Sequence, residues 1–227
     1  MALSDLHAEV IRCRACPRLV RWRQRVARDK VKRFADESYW GQPVPGFGDP
    51  NATLLLVGLA PAAHGGNRTG RMFTGDRSGD WLYRALHRTG YANQPTSVSR
   101  NDGLRLSGCY VTATGRCAPP QNRLLPVEIR RCRPFLLREM ELLRRVRVIV
   151  GLGKIGFDSA VSACEELGWS TLTRRPKFGH GVEVRLNERI TLIGSYHPSQ
   201  QNTFTGRLTE QMLDAVFRRT RQLQGTD

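Results

Sequence analysis

The chain is short of acid: 20 Asp and Glu stand against 36 Lys and Arg in 227 residues, leaving a formal charge of +16. The basic residues run from Arg12 to Arg221 rather than gathering in a tail, so the excess belongs to a folded surface. Phosphates are its natural counterpart, and nucleic acid is the expected partner. Long hydrophobic runs are missing too. No segment approaches the roughly 20 apolar residues needed to cross a bilayer, and "MALSDLHAEVIRCRACPRLV" has no signal-peptide apolar stretch. The expectation is a cytoplasmic protein with no membrane partner. No Gly/Ser/Pro tract, composition shift or repeat divides the sequence, which reads as a single domain over residues 1–227. Two phosphate-binding signatures are also absent: a loop ending in Gly-Lys-Ser/Thr, and a G-x-G-x-x-G turn directly after a strand.

What is present alternates. Short apolar runs at 53–59, 109–113, 146–153 and 190–196 predict strands buried on both faces. Helical spacing separates them: Ser78 to Arg88, then Ile129, Cys132, Leu136, Met140 and Leu143 at three- and four-residue steps, then about 153–167 and 208–223. Parallel neighbours need long crossovers, so the alternation predicts an α/β fold, a three-layer α/β/α sandwich around a mainly parallel four-stranded sheet. Ligands gather at the carboxyl ends of such strands.

Three loops sit at those ends. "GLAPAAHGGNRTGRMFTGD", residues 58–76, carries Gly58, Gly65, Gly66, Gly70 and Gly75, which permit close backbone approach, together with His64, Arg68, Phe73 and Asp76. "TATGRCAPPQNR" brings Cys117 and Asn122, and "SYHPSQQNTFTGRLT" places His197 immediately past the last apolar run. Each has a plain structural reading: His197 as a cap on the sheet, Asn122 as a turn residue, Asp76 as the N-cap of the next helix.

The cysteines form a second constellation. Cys109 falls in a strand and Cys164 in a helix, as small buried hydrophobes. That leaves Cys13 and Cys16 as C-x2-C, with Cys117 and Cys132 able to complete a set of four thiolates. Such a set suits tetrahedral zinc or an iron-sulfur cubane, and spacing does not choose between them.

The three long loop motifs, with the approach "YWGQPVPGFGDP", resemble the type-5 uracil-DNA glycosylases of the uracil-DNA glycosylase superfamily, over nearly the whole chain. The resemblance implies one uracil-DNA glycosylase-like domain that binds damaged DNA as a monomer and acts in base-excision repair, close to the nucleoid. It also implies a 4Fe-4S cluster on Cys13, Cys16, Cys117 and Cys132, chosen over zinc. The implied activity is hydrolysis of the bond between deoxyribose and uracil, with hypoxanthine and related lesions as further substrates. The rival reading is a non-catalytic module on the same fold that binds damaged DNA.

By the same resemblance His197 faces the uracil carbonyl, and Phe73 stacks on the flipped base beside Gly58, Leu59 and Ala60, with Asn122 as a substitute base contact. Superfamily relatives usually place an acid or amide after the first motif glycine; here that residue is Leu59, and Asp76 is the expected substitute for orienting water. The asparagine that grips uracil in classical members would fall near Ala113 and is missing, which implies looser base selection. Arg68 and Arg207 are expected on phosphates. Ser199, Gln200, Gln201, Asn202, Thr203 and Phe204 are expected where the duplex is opened.

Overall fold

The structure, a computed structural model, describes residues 2–225. Two helices come first, α1 (Leu3–Arg12) and α2 (Pro17–Asp29), the second opening on a proline whose missing N–H costs nothing at that position. Then follow β1 (Phe47–Gly48), β2 (Leu54–Gly58), the short α3 (Gly66–Thr69), α4 (Arg77–Arg88), β3 (Cys109–Ala113) and α5 (Pro126–Leu142). The chain closes with β4 (Val148–Leu152), α6 (Gly153–Glu166), β5 (Glu183–Arg185), β6 (Thr191–Ser195), α7 (Gln200–Phe204) and α8 (Glu210–Gln224).

The sheet runs in the order β1-β3-β2-β4-β6-β5. Its inner four strands are parallel, as the apolar runs predict, with β2 paired to β3 on one side and β4 on the other. The sheet is nevertheless six-stranded, because β1 and β5 add antiparallel edges. Two and three residues long, these edges carry too little alternation to be read from sequence.

Every residue of β2 is buried, since both faces are covered. Leu54 and Leu56 pack toward Leu82, Tyr83 and Leu86 of α4 and Leu213, Val216 and Phe217 of α8. Leu55 and Val57 pack toward Leu136 and Met140 of α5 and Phe157 and Ala160 of α6. This is the expected sandwich. α1 is fastened to the α5 side, where Arg138 donates to both oxygens of Glu9 and His7 shares a 2.7 Å hydrogen bond with the Tyr110 hydroxyl. β2 is where the strand order reverses, and the parallel strands end together at Gly58, Ala113, Leu152 and Ser195. Loops leaving such a point form a cleft.

Candidate active site and cysteine cavity

Gly58 ends β2, and its lack of a side chain shapes the cleft: a Cβ there would lie 2.9 Å from Phe73 Cζ, so only glycine lets that ring lie against the strand end. Phe73 is half-buried and held at φ +51°, a left-handed conformation that costs a non-glycine residue energy. Its ring faces that of His197, with centroids 5.7 Å apart and planes tilted by 31°. His197 stands two residues past β6, and its carbonyl accepts a 2.8 Å hydrogen bond from Asn202 Nδ2. Ser199 caps α7 by accepting from the Asn202 N–H. Burial pushes the His197 ring down to about 4, so at neutral pH it is an uncharged imidazole able to donate one hydrogen bond.

Asp76 is the N-cap of α4: Oδ1 accepts from the Gly79 N–H at 3.0 Å. Its other oxygen turns toward the glycine loop, where a Cβ on Gly65 would fall 1.9 Å from Oδ2. Burial raises the carboxyl above its ordinary value, opposed by the Gly79 and Ser78 N–H groups. The capped turn also packs Gly79 against the Phe73 carbonyl. The turn that Asp76 caps and the imidazole of the last loop therefore meet the same phenylalanine, from its backbone and its ring. His64, in the same loop, shares a 2.9 Å hydrogen bond through Nδ1 with the Tyr39 hydroxyl.

Arg68 and Asn122 have structural roles as well. Arg68 is buried, with Nε on the His64 carbonyl, Nη2 on the Gly75 carbonyl at 2.9 Å, Nη1 on Glu37, and its guanidinium 3.9 Å over the Phe34 ring. It staples the glycine loop together, with three of its five N–H groups bound within the protein. Asn122 lies on an exposed turn with φ +54°, the conformation asparagine tolerates best among residues with side chains. It occupies a turn, with its side chain exposed.

Beyond His197, Gln200 and Gln201 are exposed, and Phe204 keeps 67% of its surface in solvent. The Arg77 guanidinium lies 4.2 Å over the Phe204 ring, and Arg207, also exposed, lies 4.6 Å over Tyr196. This rim is basic and carries an unburied aromatic.

The four expected cysteines converge on one cavity. Cys13 and Cys16 come from the link between α1 and α2, Cys117 from the loop after β3 and Cys132 from α5. Burial pushes the thiols of Cys117 and Cys132 up to about 12 and about 11, with Arg23 working against the first and Arg116 against the second. Arg116 also lines the cavity; Nη2 pairs with Glu139, while Nε and Nη1 are buried with no partner in the protein. Among the described residues, no three His, Cys, Asp or Glu side chains stand close enough to hold a metal ion. Cys109 and Cys164 are core residues, as expected. The loop bearing Cys117 is tied to the strand-end cleft by hydrogen bonds of 2.9 Å from the N–H groups of Thr114 and Gly115 to the carbonyls of Gly58 and Leu59.

A family model described as the uracil DNA glycosylase superfamily matches residues 45–221, most of the chain and all three strand-end loops. The chain belongs to the uracil-DNA glycosylase superfamily. It is 52% identical over 227 residues to the type-5 uracil-DNA glycosylase of Mycobacterium tuberculosis, covering 100% of this chain and 83% of that one. Type-5 uracil-DNA glycosylases of Mycobacterium leprae (51% over 225 residues, 99% and 96% covered) and Thermus thermophilus (47% over 213 residues, 94% and 94% covered) are similar over nearly their full length.

In this member of the superfamily, sequence reasoning missed Tyr39, Arg77 and Arg116. Tyr39 lies far from His64 in sequence and no periodicity connects them. Arg77 follows Asp76 directly, and Arg116 precedes Cys117, so adjacency to a motif residue was the one available signal. No helix among the described residues is long and apolar enough to cross a membrane.

Proposed function

We propose that the chain is a monofunctional DNA glycosylase, which takes a deaminated base out of the duplex and hydrolyses its N-glycosidic bond to leave an abasic site. Uracil is the first substrate, in keeping with the relatives' names. The observation that carries this reading is the facing of Phe73 and His197 at the strand ends, with Asp76 closing the same loop.

A base within a duplex cannot enter a cleft, so it is extruded, at a cost of a few kcal/mol that a mispair reduces. The extruded pyrimidine stacks on Phe73, beside the backbone of Gly58, Leu59 and Ala60. As the C1′–N1 bond breaks, its electron pair passes to the base and positive charge develops on the sugar. His197, neutral through its burial, donates to the uracil carbonyl as that oxygen gains charge, without forming an ion pair beforehand. The Asp76 carboxylate orients water toward C1′, accepts its proton and balances the cationic sugar, and its raised pKa suits it to act as a base. Oδ1 is held by the cap, so Oδ2, turned toward Gly65 of the glycine loop, is the oxygen assigned to this work.

Ala113, buried at the end of β3, offers no side-chain amide to the base edge. A site with few buried polar groups to leave unpaired rejects a foreign base weakly, which supports hypoxanthine as a second substrate. The basic rim binds duplex phosphates without reading sequence, with Arg207 among the contacts. Ser199, Gln200, Gln201, Asn202, Thr203 and Phe204 meet the vacated position, Phe204 by stacking.

The cysteine cavity fits a 4Fe-4S cluster. Four thiols line one space, the ligand number of a cubane, and the resemblance to the type-5 uracil-DNA glycosylases favours that over zinc. The unpartnered Nε and Nη1 of Arg116 would find sulfur acceptors in it. When bound, such a group supplies cross-links between the α1–α2 segment, the loop after β3 and α5.

The deciding experiment is single-turnover cleavage of duplexes that each bear one lesion, without added metal. Release of free uracil, and more slowly of hypoxanthine, is the expected result; binding with every glycosidic bond intact would instead mark a non-catalytic module.

A further inference from the structure

The loop that carries Phe73 is gripped from behind by a buried ion pair that the chemistry above does not use. Arg71 and Asp102 are 4% and 7% exposed, and the guanidinium meets the carboxylate in two parallel bonds, Nη1 to Oδ1 at 2.9 Å and Nη2 to Oδ2 at 2.7 Å. Asp102 also accepts from the N–H groups of Val98, Ser99 and Leu104 at 2.8, 3.2 and 3.0 Å, which wraps residues 98–104 around one carboxylate. Burial alone would raise that carboxyl, but Arg71 and the three N–H groups hold it at about 2.

The pair reaches Phe73 from both sides. Arg71 Nε donates to Thr74 Oγ1 and Nη2 to Ser97 Oγ, each at 2.9 Å, and the two hydroxyls share a 2.7 Å bond. The Ser97 carbonyl accepts from the Gly75 N–H at 2.8 Å. The Met72 carbonyl accepts from the hydroxyls of Thr74 and Tyr83 at 3.1 and 2.9 Å. Residues 71, 72, 74 and 75 are thus each fixed, and between them stands the left-handed Phe73 at φ +51°. A non-glycine residue keeps such a backbone only where its surroundings over-determine it, and strain of this kind gathers at binding sites. A buried ion pair is weak ground for stability alone, but a pair joining two loops specifies geometry.

We propose that Arg71 and Asp102 are positioning residues for base excision: through Thr74 and Ser97 they hold Phe73 in its left-handed backbone, so that its ring meets the extruded base beside His197. This rests on the base-excision reading above. Neither residue touches the base; both act through Phe73.

The test compares wild type, Asp102→Asn, the milder Ser97→Ala and Phe73→Leu, and each of the first two substitutions combined with Phe73→Leu. In single-turnover cleavage of a uracil duplex at saturating enzyme, Asp102→Asn and Ser97→Ala should each slow the reaction about tenfold or more, with affinity for undamaged duplex unchanged. In the Phe73→Leu background the same changes should cost no more than about twofold, the non-additivity of residues that act as a unit. Equal losses in both backgrounds, or a lowered Tm with an unchanged saturating rate, would overturn the proposal. If Asp102→Asn does not fold, Ser97→Ala decides. A second readout is free of turnover: the ring-current shift of the His197 ring protons by Phe73, seen by NMR, should move in Ser97→Ala, and an unmoved shift refutes the positioning role. Failure of the wild type to release any base would refute the base-excision reading and leave this second readout standing.

Discussion

The Phe73 ring lies 5.7 Å from that of His197, one carried by the loop after β2 and the other by the loop after β6. The two loops are more than a hundred residues apart in the chain, and the parallel pairing of β2, β4 and β6 brings their starting points side by side. The two rings are in tilted contact, so an aromatic face and a hydrogen-bonding imidazole edge open side by side on the same cleft.

Asp76 has two duties, and two substitutions separate them. Asp76→Asn keeps a side-chain acceptor for the Gly79 N–H, so its thermal stability should stay within about 0.5 kcal/mol of wild type, because asparagine and aspartate cap equally well. Asp76→Ala should cost about 1 kcal/mol. Single-turnover cleavage should fall about a hundredfold or more in both. Full activity in Asp76→Asn would reduce the residue to a cap.

His197 and Asp76 both act in their deprotonated forms, so acid removes the activity of each, Asp76 first. Since burial holds the imidazole at about 4, it stays neutral through the mildly acidic range, and the acid limb of the pH–rate profile belongs to Asp76. That limb should lie above the ordinary carboxylate value of about 4 and vanish from the residual activity of Asp76→Asn. Stability follows the same direction through the depressed histidine: its contribution is complete above about 6.5 and is lost as pH falls toward 4. Denaturation followed from pH 7 to 4 should therefore show a steeper loss in wild type than in His197→Ala.

Phe204→Ala tests the rim. With 67% of its surface in solvent, the ring contributes little to folding, and Tm should not change. If Phe204 stacks where the duplex is opened, affinity for a lesion-bearing duplex should weaken about tenfold, since stacking on an aromatic is worth about 1–3 kcal/mol per base. Equal affinity at matched salt would remove it from the interface.

The cysteine cavity predicts iron. Protein purified without oxygen should contain iron and acid-labile sulfide with broad visible absorption, and Cys132→Ala should lose the colour. Limited proteolysis should then cut more readily between α1 and α2, where Cys13 and Cys16 lie. A colourless wild type containing one zinc per chain would reverse the assignment.

The parallel strands and their helices were legible because each is an apolar run or a stripe with its own period; β2 is buried at every position and reads as such. α1 and α2 were not, since arginines crowd α2 and hide its thin stripe of Leu19, Arg23 and Val26. Within the site, Phe73, Asp76 and His197 could be named from their motifs, but the work of Arg68 could not. A cation in a glycine loop looks the same in sequence whether it faces phosphate or, as here, is surrounded by the carbonyls of His64 and Gly75. The Arg71–Asp102 pair was invisible for a similar reason, being made by residues 31 positions apart with no shared period.

The bonds from Thr114 and Gly115 to Gly58 and Leu59 join the thiol-bearing loop to the strand end on which the Phe73 ring rests. Oxidative injury to Cys117 would therefore not stay local. A backbone shift there would be transmitted across two hydrogen bonds to the strand end on which Phe73 rests.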